Sequence, residues 1–71
     1  MEIDAQKVAE RILDLRKSRG LTIFQMDAAS GISHAAISRW ENAIALPSTP
    51  QLYKLAKFFN VSTDYILGIE D

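Results

Sequence analysis

Leu21-Thr-Ile-Phe-Gln-Met-Asp-Ala-Ala-Ser-Gly-Ile-Ser-His-Ala-Ala-Ile-Ser-Arg-Trp-Glu-Asn42, residues 21–42, reads as two short helices joined at a glycine. Met26 and Ala29 supply an apolar spacing of three, and Ser30-Gly31 then interrupts the pattern. Gly31 stands where helices commonly stop on a left-handed residue, a conformation that is costly for any side chain with a Cβ. Ile32 is placed to plug the gap between the two helices, and Ser33 to cap the second. From there Ile37 and Trp40 repeat at a spacing of three and point inward. His34, Ala35, Ser38, Arg39 and Asn42 share the opposite face. A short helix with small and hydrogen-bonding residues on one side is what the major groove of DNA admits.

The rest of the chain continues the helical pattern. Asp4 is placed to cap a first helix running to Arg19, with Val8, Ile12 and Leu15 on one stripe and Gly20 ending it. Thr22 caps the second helix, which runs to Ser30, and the third is expected over residues 33–43. Pro47 and Pro50 then break helicity. Thr49 is the expected cap of a fourth helix, with Pro50 at its first position and Leu52, Leu55, Ala56 and Phe59 on its buried face. Asn60 is a left-handed C-cap, Val61 a core plug, and Ser62 the cap of a fifth helix ending at Gly68. The reading is all-α, a compact bundle of five helices, with residues 1–71 forming a single domain around a core at 22–42.

Composition bounds the function. The chain of 71 residues is 48% apolar and holds no cysteine, so it can bury only a modest core and has neither disulfides nor thiolate metal ligands. The opening residues do not form a signal-peptide pattern, and no apolar run approaches the ~20 residues of a membrane span. A cytoplasmic, nucleoid-associated protein without a membrane partner is expected. The net charge is −1, from eight basic and nine acidic residues, which weighs against strong non-specific nucleic-acid binding. Five of the eight cations (Lys7, Arg11, Arg16, Lys17, Arg19) lie in the first twenty residues. His34 is the only histidine, with no cysteine company and no carboxylate four residues on, so neither a metal site nor general-base catalysis is expected. No cofactor, small-molecule ligand or enzymatic constellation is evident.

The ordered combination of Leu21-Thr22, Gly31-Ile32-Ser33, Ile37 to Asn42, Pro47 and Leu55 to Gly68 resembles the Cro/phage-repressor (XRE) family of helix-turn-helix proteins, in consistent order from residue 11 to residue 68. The resemblance implies a lambda-repressor-like DNA-binding domain whose second and third helices form the helix-turn-helix, and a regulator, most simply a repressor. It would read the major groove of double-stranded operator DNA as a homodimer. Carried over by position, it assigns base contacts to His34, Ala35, Ser38 and Arg39, and backbone contacts to Thr22, Gln25, Ser33 and Asn42. It pairs Arg16 with Glu41 in a structural ion pair and puts the dimer contact at Tyr65 and Ile66. Leu13 is a lesser interface candidate.

Three positions depart from the family pattern. Ile23 stands where glutamine is frequent, which removes one backbone contact that Gln25 could replace. Asp27 occupies a site usually small and apolar, where the second and third helices cross; it either turns outward or bonds a backbone donor. In the run from Ala43 to Leu46, glycine and a cation are common in relatives. Ile44 and Leu46 are expected to fold back onto the core, and a protein contact is the alternative. A protein-interaction module on the same fold, such as an antitoxin, is the competing function.

Overall fold

The computed structural model describes residues 2–70 and builds them into five helices: α1 (Ala5–Ser18), α2 (Ile23–Ser30), α3 (His34–Glu41), α4 (Thr49–Phe59) and α5 (Thr63–Leu67). Each start is set by local chemistry. Asp4 accepts from the backbone N–H of Gln6 at 2.9 Å. At α2 the caps are reciprocal: Thr22 Oγ1 accepts from Gln25 N at 3.0 Å, and Gln25 Oε1 accepts from Thr22 N at 2.8 Å. Together these bonds satisfy two donors that a helix start otherwise leaves open.

The cap of α4 lies one residue earlier than the sequence predicts. Ser48, not Thr49, accepts from the Gln51 backbone, and Gln51 Oε1 returns to Ser48 N at 3.0 Å. The Ser-x-x-Gln spacing forms the reciprocal box that Thr49 could not make, and Pro50 moves to the second helical position, where its missing N–H still costs no helical bond. Helix α3 likewise ends at Glu41 rather than Ala43.

The core gathers one stripe from each helix: Val8 and Ile12 from α1, Met26 from α2, Ile37 and Trp40 from α3, Leu55, Ala56 and Phe59 from α4, and Ile66 from α5, with Ile32 filling the turn. Helix α1 packs on α3 and α5, α2 on α3 and α4, and α4 on α5. Leu15, Leu52 and Val61 pack against this core while partly buried, but Ala29 is exposed. Ile66 is fully buried, so the expectation that it forms a dimer contact is corrected. Its side chain faces the core, where the apolar area removed from water favours keeping it.

The segment after α3 also differs from expectation. Ala43 adopts φ 59°, its N–H bonding Trp40 O at 3.1 Å, while Ile44 N bonds Arg39 O at 2.9 Å. This is the Schellman closure that glycine ordinarily makes. Beyond it the chain alternates in and out: Ala45 packs on the core, while Ile44 and Leu46 are 69% and 44% exposed. Their predicted return to the core therefore fails, because consecutive residues of a non-helical strand-like segment point to opposite sides. Left-handed geometry costs an L-residue roughly 1–2 kcal/mol, partly offset in glycine by a freer unfolded chain. Ala43→Gly should therefore raise stability by about 0.5–1 kcal/mol. Urea denaturation checks this, and a lower midpoint would show that packing of the Ala43 methyl outweighs the strain.

Candidate nucleic-acid interface

The outward face of α3 carries the predicted reading residues. His34, Ala35 and Arg39 are exposed and Ser38 is half-buried, all on one side because Ile37 and Trp40 hold the other side in the core. Arg39 has no side-chain partner among the described residues, so its guanidinium fork is open to an external acceptor. Ala35 presents only a methyl.

The residues predicted for backbone contacts are already engaged inside the domain. Thr22 and Gln25 use their oxygens on each other's backbone, which leaves the Thr22 hydroxyl proton and the Gln25 amide N–H groups as donors. Ser33 Oγ accepts from Ala35 N at 3.2 Å. Asn42 Nδ2 donates to Ser38 O at 2.8 Å and lies 3.4 Å from Ser38 Oγ. Asn42 therefore spends its donors closing the end of α3, and its remaining amide oxygen, an acceptor, has nothing to offer a phosphate.

The support of this face is ionic. Arg16 Nε donates to Glu41 Oε2 at 2.8 Å and its second nitrogen to Glu41 Oε1 at 2.9 Å, and Arg16 also donates to Leu21 O at 2.8 Å. The pair is largely shielded, with side-chain exposures of 14% and 7%. The hydrogen bonds that Arg16 donates to Glu41 raise the Arg16 pKa against the opposing effect of burial. One guanidinium thus ties α1, the turn before α2, and the last residue of α3. Planar, two-point bonding of this kind fixes an orientation that a single ammonium would not.

Two arrangements escape the sequence reading. Asp27 Oδ2 accepts from the backbone N–H of His34 at 2.9 Å and meets its Nδ1 at 2.8 Å. A bond to a backbone donor is one of the two expected fates of Asp27, but the carboxylate beside His34 comes from seven residues upstream, not four downstream. Phe24, 68% exposed, lies with its ring centroid 4.7 Å from the imidazole. The only signal in the sequence is the position of Asp27 at the crossing of the two helices. The second arrangement binds the chain end. Arg11 lies 4.3 Å from the Tyr65 ring centroid and donates to Tyr65 O at 3.2 Å and Glu70 O at 3.1 Å. Tyr65, the other dimer candidate, is therefore half-buried beneath an α1 cation. Arg19 sits 5.6 and 5.5 Å from the Phe58 and Phe59 rings.

Among the described residues no group of three or more His, Asp or Glu side chains is arranged to hold a metal ion, and no helix is long and apolar enough to cross a membrane. The profile of the HTH_3 helix-turn-helix family matches residues 12–66. The chain belongs to the helix-turn-helix family. This helix-turn-helix chain is 36% identical over 62 residues to the uncharacterized HTH-type transcriptional regulator YobD of Bacillus subtilis, covering 87% of the chain and 55% of that protein. It is 34% identical to the HTH-type transcriptional activator BcrR of Enterococcus faecalis, over 87% of the chain and 30% of BcrR. A crystal structure of an HTH_3 family transcriptional regulator from Vibrio cholerae superposes with a TM-score of 0.79 at 26% identity, over 93% of this chain and 37% of the other. The helix-turn-helix chain thus spans about half the length, or less, of these relatives.

Proposed function

We propose that this helix-turn-helix chain is the DNA-binding part of a transcription regulator, reading the major groove of a palindromic operator through the exposed face of α3 as a homodimer. The observation that carries this reading is that face itself. His34, Ala35 and Arg39 stand open, with Ser38 beside them, on a helix whose opposite side is held in the core. The names of the relatives, all transcriptional regulators, agree with it. Arginine forks onto guanine O6 and N7, and a methyl meets the methyl of thymine. Two half-sites add discrimination that one eight-residue helix cannot supply alone, which supports the dimer. Occupying an operator obstructs transcription, so repression is the expected effect, tested by a reporter placed behind the selected site. A cytoplasmic location follows from the same reading.

Selection of bound duplexes from a random pool tests it, and a palindromic product supports both function and stoichiometry. Arg39→Ala should then relax preference at one base pair per half-site at a cost of about 1–3 kcal/mol, with folding intact. Equal weakening on all sequences would reduce Arg39 to a phosphate contact. The exposure of Ile44 and Leu46 favours a second reading, in which the α3–α4 loop contacts a partner protein, as an antitoxin would. Retention of sequence-specific DNA binding in Ile44→Ser/Leu46→Ser, with loss of a co-purifying partner, would favour that reading.

A further inference from the structure

Asp27 does more at α3 than cap it. Its Oδ2 takes both the backbone N–H of His34 at 2.9 Å and the ring Nδ1 at 2.8 Å, while the Phe24 ring rests against the imidazole. An ionised carboxylate only accepts hydrogen bonds, so the contact to Nδ1 requires the proton to be on Nδ1. The bonds from His34 hold the Asp27 carboxyl below the ordinary carboxylate range, which keeps it ionised. A neutral imidazole carries a single N–H; with that proton on Nδ1, Nε2 keeps its lone pair. No partner within the described residues meets Nε2, and the His34 side chain is half exposed. Asp27 is the charged group that faces the ring from α2; from α3 itself the neighbouring side chains at this end, Ala35 and Ser38, are uncharged.

Resting on the DNA-binding reading above, we propose that Asp27 and Phe24 are positioning residues that make His34 Nε2 a hydrogen-bond acceptor for base recognition. In the major groove the exocyclic amines of adenine and cytosine are donors, whereas guanine O6 and N7 and thymine O4 are acceptors. The base met by the neutral imidazole is therefore adenine or cytosine. The same carboxylate occupies the first backbone donor of α3, and its charge opposes a phosphate at that helix start. That directs His34 toward base edges rather than the sugar-phosphate strand. A carboxylate serving only as a cap would leave base preference indifferent to its removal.

Two measurements on the intact chain test this at pH 8. Nitrogen-15 spectra of the imidazole in the free protein should show the Nδ1–H tautomer, with Asp27→Ala moving the population toward Nε2–H; an Nε2–H tautomer in the wild type would overturn the proposal without any DNA present. Selection from a random pool should then show one position per half-site where adenine or cytosine is taken about tenfold over guanine. That preference should fall below about threefold in both Asp27→Ala and His34→Ala, while the position read by Arg39 keeps its base, which also reports that the variants fold. A preference that survives Asp27→Ala overturns this inference and leaves the DNA reading standing. A wild type that selects no sequence overturns both.

Discussion

Trp40→Ala leaves the domain unfolded or barely folded at 25 °C. The indole is 3% exposed, in the cluster where Ile12, Met26, Ile37, Leu55 and Phe59 also meet. It comes from the inner face of α3, which packs on α1 and α2. Truncating a core aromatic typically costs about 3–5 kcal/mol, because the removed surface and the residual cavity both count. A domain of this size holds a total of about 4–10 kcal/mol, so one change consumes most of it. Far-UV circular dichroism during urea denaturation reads the loss, and wild-type indole emission should be blue-shifted. A variant that melts like the parent but no longer binds DNA would place Trp40 on the outer face and reverse the phase of α3.

Glu41→Ala is expected to cost about 2–4 kcal/mol although it removes no core side chain. Removing the carboxylate leaves the Arg16 guanidinium largely shielded with one remaining acceptor, Leu21 O. The cost of stranding a charge, rather than the worth of the pair, sets that size, and the residual 14% exposure of Arg16 keeps it toward the lower end. Arg16→Met together with Glu41→Leu should recover most of the lost stability, since an apolar pair of similar volume strands nothing. Thermal melting of the two variants decides it. If the single and double changes lie within about 0.5 kcal/mol of wild type, the pair is an ordinary surface bridge. Because Arg16 also holds the turn before α2, the double variant should keep its fold yet, on the function proposed above, bind its selected duplex less tightly. An apolar pair does not fix the angle between α1 and α3 as two parallel hydrogen bonds do.

Much of this architecture is legible from residue spacing. The starts of α1, α2, α3 and α5 follow from Asp4, Thr22, Ser33 and Ser62, because a cap is a bond to a backbone donor two or three residues away. The inward positions of Val8, Ile12, Ile37, Trp40, Leu55 and Phe59 follow from the 3.6-residue turn. Even the α4 cap errs by only one residue, where Ser48 and Thr49 compete and the reach of Gln51 decides between them.

Residue spacing therefore carries most of what is local: five helices, four of their five starts, most of their inner stripes and the outward set on α3. Which sides of those helices meet is set by their packing together. The crossing of α2 and α3 brings Asp27 onto His34, and α5 turned against α1 buries Ile66 and lays Tyr65 under Arg11. The left-handed step at Ala43 sends Ile44 and Leu46 outward. The division has a physical cause. Caps and periodicity depend on bonds within one helical turn, as the step at Ala43 does without a glycine to mark it, whereas the placements of Asp27, Ile66 and Tyr65 depend on helix crossings that the whole core sets together.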